Sequence, residues 1–129
     1  MTEPIGITGS LATIAELRSV AREFGGRDVS EESAIISIVE TPIGRLYVHM
    51  ADIRSTYSSA EIETISAAIG IMPSWMIVIE RSRGPGGLEL SRQLASRYMR
   101  KFPCLLDDFS GRWWRRLDLG SDCIEVSRP

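Results

Sequence analysis

The 129-residue chain holds one lysine, one histidine and two cysteines, and each scarcity closes off a class of protein. With His49 as the only imidazole, histidine-rich metal sites and mechanisms that need two imidazoles are excluded. Cys104 and Cys123 are too few for a disulfide framework and lack C-x-x-C spacing. No apolar run approaches the roughly 18–20 residues that a bilayer crossing needs, so no membrane partner is expected. The start Met-Thr-Glu-Pro-Ile has neither the basic n-region nor the apolar stretch of an export signal. A reduced, cytoplasmic protein is the expectation. Lys101 stands against fourteen arginines, a bias that reads as codon habit rather than as a device for phosphate, although Arg is favoured at phosphate sites.

What is present is ordinary for a globular chain: 43% hydrophobic and 25% charged residues with a mean hydropathy of −0.01. This length suits one core, so residues 1–129 are expected to form a single domain. The net charge of −2 names no partner, but its distribution is uneven. Residues 1–70 carry ten acidic and five basic side chains (−5), whereas residues 71–129 carry seven and ten (+3). Part of the acidity is focused in Asp28, Glu31 and Glu32. Such a dipolar domain suits steering toward a charged protein more than coating a nucleic acid.

The apolar pattern sets the elements. Leu11, Ile14, Leu17, Ala21 and Phe24 recur at three- and four-residue spacing, which places them on one helical stripe. Ser10 is the expected N-cap, and Gly25-Gly26 the stop. Ile5 and Ile7 suggest a short first strand over residues 3–8. Ser33–Glu40 and Arg45–Asp52 flank Thr41-Pro42-Ile43-Gly44 and read as an antiparallel hairpin. Ser58-Ser59-Ala60-Glu61 is a capping box that opens a second helix with Ile62, Ile65 and Ile69 on one face.

Trp75–Glu80 (WMIVIE) is the most continuous apolar run and predicts a central strand buried on both sides. Leu90, Leu94, Tyr98 and Phe102 mark a third helix from Leu88 to about Phe102, stopped by Pro103. Arg92, Arg97, Arg100 and Lys101 lie off its apolar stripe. Short strand candidates follow at 104–109 and 112–119, and Ile124 and Val126 close the chain. The order (β)-α-β-β-α-β-α-β-β predicts an α+β fold: one mostly antiparallel sheet with about three helices packed on one face. A right-handed crossover through the third helix is expected.

Several motifs invite chemistry. Gly84-x-Gly86-Gly87 precedes a helix, but Leu88-Glu89 stands where a phosphate loop needs Lys-Ser/Thr. The dinucleotide spacing G-x-G-x-x-G fails as well, so a structural loop is the reading. His49 shares a strand face with Tyr47; a sheet-surface role or a pH-sensitive interface contact suits it better than catalysis. Adjacent Asp107 and Asp108 point to opposite faces of a strand, so they fit a turn that caps backbone amides rather than a chelate.

Arg112-Trp113-Trp114-Arg115-Arg116 is the strongest functional feature. Alternation sends Arg112, Trp114 and Arg116 one way and Trp113 and Arg115 the other, leaving at most one tryptophan in the core. Two readings stay open: a hot-spot or base-stacking strand, or an edge strand whose arginines block pairing.

Residues 75–111 combine the buried strand WMIVIE, a Gly/Ser loop, the helix LELSRQLASRYMRKF and the turn Pro103–Gly111. The combination resembles small bacterial immunity proteins of polymorphic or contact-dependent toxin systems, in which a helix, a strand ending in Asp and then Gly recur. The motifs carrying it are Leu94-Ala95 and Asp107-Asp108 before Gly111. The resemblance implies a stand-alone cytoplasmic protein without a cofactor, which blocks a cognate toxin by occluding its active site. It transfers no catalytic residue.

The leading expectation is therefore a non-enzymatic protein-binding module of immunity or inhibitor type, with no catalytic, cofactor-binding or metal-binding residues, acting as a monomer or homodimer. Its contacts would be Asp28, Glu31 and Glu32 toward a cationic partner, or Arg112, Trp114 and Arg116 toward another. The alternative is a small nucleic-acid-binding domain that uses the Arg/Trp strand 112–116 and the basic third helix. A third hypothesis, an enzyme resting on His49, Cys104 and Asp107, completes the set.

Overall fold

A computed structural model describes residues 4–29, 34–82, 85–116 and 123–129. In chain order its elements are β1 (Ile5–Gly9), α1 (Ile14–Arg22), β2 (Gly26–Asp28), β3 (Ile35–Thr41), β4 (Gly44–Ala51), α2 (Ile53–Thr56), α3 (Ser59–Ile69), β5 (Trp75–Arg81), α4 (Pro85–Lys101), β6 (Cys104–Asp107), β7 (Trp113–Arg116) and β8 (Cys123–Val126). The described strands form one antiparallel sheet in the order β2-β3-β4-β5-β1-β6-β7-β8. The fold is α+β. Both β5 and β6 run antiparallel to β1, which lies between them, so the β5-α4-β6 connection is a crossover between two parallel strands.

Strand β5 dictates how the helices are placed. Trp75, Ile77 and Ile79 project to one face, and Met76 and Val78 to the other. Both faces of so apolar a strand need cover. Helices α1 and α4 pack on the first face through Leu17, Val20, Leu94 and Tyr98. Helix α3, preceded by the single turn α2, covers part of the second through Ile62, Ile65 and Ile69. Helices on one face only were expected; they divide between the two. Burying each of these large apolar side chains contributes about 1.5–3 kcal/mol. The Tyr98 hydroxyl donates to the Leu17 carbonyl at 2.7 Å and ties α4 to α1 inside the first core.

Local signals set most boundaries. Helix α3 has the capping box Ser58/Glu61 and ends at Gly70 in the left-handed region (φ 81°). The β3-β4 hairpin turns at Pro42-Ile43, with Thr41 opposite Gly44. Helix α1 begins later than expected: Thr13, not Ser10, is the N-cap and forms a capping box with Glu16. Ser10 is committed to the end of β1, where its amide donates to the Pro103 carbonyl at 3.1 Å and its hydroxyl meets that of Ser74 at 3.2 Å. Helix α4 begins at Pro85, three residues before the expected start, with Gly86 and Gly87 in its first turn. The Arg/Trp strand is not at an edge, because β8 pairs with β7 on its outer side.

Candidate functional site

The register of β6, β7 and β8 separates the two adjacent tryptophans. Trp113 pairs with Asp107 and Val126 and is fully buried on the α3 face. There it meets Tyr57 edge-on, with ring centroids 5.7 Å apart. The Arg128 guanidinium lies 4.8 Å from its centroid. Trp114 pairs with Leu106 and Glu125 and faces the α4 side, half-buried. Arg116 shares that side one pleat on. Arg112 lies just outside β7, exposed, with its guanidinium 3.8 Å from the Glu125 carboxylate.

Between α4 and β6-β7-β8 lies a groove of about 370 Å³. Its walls are two. From α4 come Arg92, Ala95, Ser96, Met99 and Arg100, which recur at helical spacing and so form one stripe. From the sheet come Ile5, Leu106, Trp114 and Arg116, with Asp108 and Cys123 at the rim. A second hollow of about 200 Å³ continues it past Met99, Arg100 and Arg116 toward the C-terminus of α4.

The charges in the groove are not equally available. Arg97 and Lys101, on a neighbouring face of α4, are engaged with Glu23 at 2.9 and 3.4 Å. Arg92 and Arg100 have no carboxylate partner among the described residues, and both are exposed. The Asp108 carboxylate is committed to its turn: Oδ1 accepts from the amides of Ser110 (2.9 Å) and Arg112 (3.2 Å). Partial burial works against its charge, yet the Ser110 and Arg112 amides and the Trp114 side chain hold its pKa below the ordinary carboxylate value. The groove thus offers an apolar floor under a cationic rim.

The other sequence candidates scatter. Both carboxylate oxygens of Asp28 accept from Arg22, so its charge is largely spent within the fold. Glu31 and Glu32 lie outside the described residues. His49 is on β4, facing the α3 side, 3.7 Å from the Glu80 carboxylate. Cys104 projects from β6 to the opposite face, with β5 and β1 between the two strands. The thiol is buried, which pushes its pKa up to about 12, with a smaller contribution from Cys123. His49, Cys104 and Asp107 are not brought together.

The two cysteines are also kept apart. Continuing the register one residue places Cys104 opposite Arg116, which pairs with Cys123. Two strand spacings amount to roughly 9–10 Å, beyond the ~7 Å limit for a disulfide. Gly86 and Gly87 open α4 against the hairpin turn: a Cβ on Gly86 would lie 2.5 Å from Ile43 Cβ. Their role there is close packing. Among the described residues no group of three potential ligands could hold a metal ion.

Sequence reasoning missed two features. One is the groove itself: the basic third helix was named beside the Arg/Trp strand only for nucleic-acid binding, and the i, i+4, i+8 spacing of Arg92, Ser96 and Arg100 does not show that they face Trp114. The other is the buried pair Tyr57–Asp107, in which the Tyr57 hydroxyl donates to Asp107 Oδ2 at 2.7 Å. Asp107 Oδ1 accepts from the Phe109 amide at 2.8 Å. Burial first, and the neighbouring carboxylate second, push the Tyr57 pKa well above the ordinary tyrosine value, so the phenol stays a donor. No sequence signal joins positions fifty residues apart.

Comparison with family models, with curated proteins and with solved structures gives no match. Among the described residues no helix is long and apolar enough to cross a membrane.

Proposed function

We propose that this chain is a non-enzymatic protein-binding module of the immunity or inhibitor type, which neutralises a cognate toxin by covering its working surface. We place the contact at the α4-β7 groove. The observation that carries this reading is the half-buried Trp114 lying in one groove with Arg92, Arg100 and Arg116. Tryptophan and arginine are the residue types that dominate protein–protein hot spots, and they do so in pockets that exclude water. Here both are mounted on a helix and a strand instead of a loop, so little ordering entropy is lost on binding. The resemblance of residues 75–111 to immunity proteins points the same way.

Single-stranded nucleic acid is the second reading, supported by the same combination of cations and an aromatic ring. Such strands stack successive bases on several rings along a basic track. With Trp113 inside the α3-side core, this groove offers one. Protein binding is therefore the better account.

The test is co-expression with the protein encoded by the adjacent reading frame. The expected result is a stable complex and suppression of that protein's toxicity. Absence of both, together with a low-salt mobility shift of oligonucleotides that fades steeply as salt rises, would replace this reading with the second.

A further inference from the structure

The groove between α4 and β7 carries information about what it receives, provided the protein-binding reading above holds. We infer that it takes an extended acidic segment of the partner, with a large apolar side chain midway between two carboxylates. Charge complementarity sets the first half of this statement. Arg92 and Arg100 flank the groove and have no carboxylate partner among the described residues. Asp108, the one acidic residue among those lining the groove, accepts from backbone amides.

Geometry sets the second half. Eight helical steps lead from Arg92 to Arg100, a span of about 12 Å at 1.5 Å per residue. An extended chain rises about 3.3 Å per residue and alternates its sides. Side chains that share one side therefore fall at i, i+2 and i+4, and positions i and i+4 are about 13 Å apart. Carboxylates there meet the two guanidinium groups, and the side chain at i+2 enters between them. That position faces the apolar floor of Met99, Leu106 and Trp114. A space of about 370 Å³ is at the small end of ligand sites and suits one large side chain rather than a whole ligand. The Ser96 hydroxyl, midway between the arginines on the same stripe, is placed to meet the backbone of the segment. The motif that follows is acidic-x-apolar-x-acidic.

Trp114 supplies the readout. Trp75 and Trp113 are at most 5% exposed, so a change in emission on adding a ligand belongs to Trp114. The probe is the capped peptide acetyl-Gly-Asp-Ser-Phe-Ser-Asp-Gly-amide, titrated into the full chain. The expected result is a saturable change in emission, and at least tenfold weaker binding by the double variant Arg92→Glu/Arg100→Glu. Both arginines are exposed on α4, and circular dichroism confirms that the variant is folded. A peptide with Lys in place of Asp, and one with its two Asp residues adjacent, should each bind at least tenfold more weakly.

Equal binding of the lysine peptide, undiminished binding by the double variant, or a response to oligo(dT) in place of the peptide would overturn the inference. So would the lack of any saturable change up to millimolar peptide. The adjacent-frame protein separates the two levels of the argument. If it binds wild type and the double variant equally, the groove is not the contact and the protein-binding reading survives. If it binds neither while the peptide still binds wild type selectively, the groove chemistry stands and the immunity assignment falls.

Discussion

Asp107 shows how much one buried side chain can hold in place. The residue is 3% exposed, and its carboxylate joins Tyr57, the C-cap of α2, to the turn after β6 through two hydrogen bonds. An acceptor left unpaired in such a place costs more than a hydrogen bond normally contributes, about 1–3 kcal/mol. Tyr57→Phe keeps the ring that packs edge-on against Trp113 and removes only the donor. The variant should lose about 1–3 kcal/mol in urea denaturation. A loss below about 0.5 kcal/mol would mean that water replaces the phenol.

Glu61 gives the complementary case at the surface. The Ser58 amide first, then Arg128, hold its pKa below the ordinary value of 4.5. A depressed carboxylate contributes stability that is fully present above the unfolded-state value and lost as pH falls through the folded one. Glu61→Gln should therefore lower stability at neutral pH and flatten its decline between roughly pH 5 and 3, as read from denaturation midpoints across that range.

Among the elements, α4 turns on a conflict between propensity and packing. Alanine is favoured over glycine in a helix by about 1 kcal/mol, so two glycines in its first turn need a reason. At Gly86 a Cβ would lie 2.5 Å from Ile43 Cβ and 2.6 Å from the Ile43 carbonyl oxygen. Backbone must then move, and overpacking of this kind costs about 1–3 kcal/mol. At Gly87 the nearest atom is the Ser82 carbonyl oxygen at 3.2 Å, a contact that a shift of a few tenths of an ångström relieves. Gly86→Ala should lower the melting temperature, and Gly87→Ala should leave it unchanged or raise it. The same sign at both positions would show that propensity alone decides.

The elements also show what could be read beforehand. The capping box of α3, its Gly70 stop and the β3-β4 turn are local, settled within about five residues, and all three were legible. So was the alternation that sends one tryptophan inward. Ser10 looked like a helix cap because its partners, Pro103 and Ser74, are far away in sequence. Strand β2, three residues long, exists through pairing and has no pattern of its own. Half of the candidate site was visible in Trp114 and Arg116. The α4 half was legible only as a basic helix, because a stripe of Arg, Ser and Arg becomes a groove wall only when a strand lies beside it.

At the scale of the whole molecule, the N-terminal strand holds the sheet together. Strand β1 separates β5 from β6, so the centre of the sheet needs residues 5–9 joined to residues 75–107. The same central strands serve both cores: β5 gives Ile77 to the α1/α4 side and Met76 to the α3 side, and β6 gives Cys104 and Leu105 in the same way. Neither core can be lost without stripping one face of the strands that build the other. Ile65→Ala on one side and Leu94→Ala on the other each empty a fully buried position, at a cost of about 2–5 kcal/mol. Each should shift a single urea transition to lower concentration with an unchanged slope, since the surface exposed on unfolding is the same. Tryptophan emission and far-ultraviolet circular dichroism should coincide throughout. A split transition in Ile65→Ala, with the α4 side persisting, would mean that α3 and its core form a separately melting layer. The sheet would then transmit no stability between its faces, and a partner seated in the α4 groove would stabilise only the half it touches.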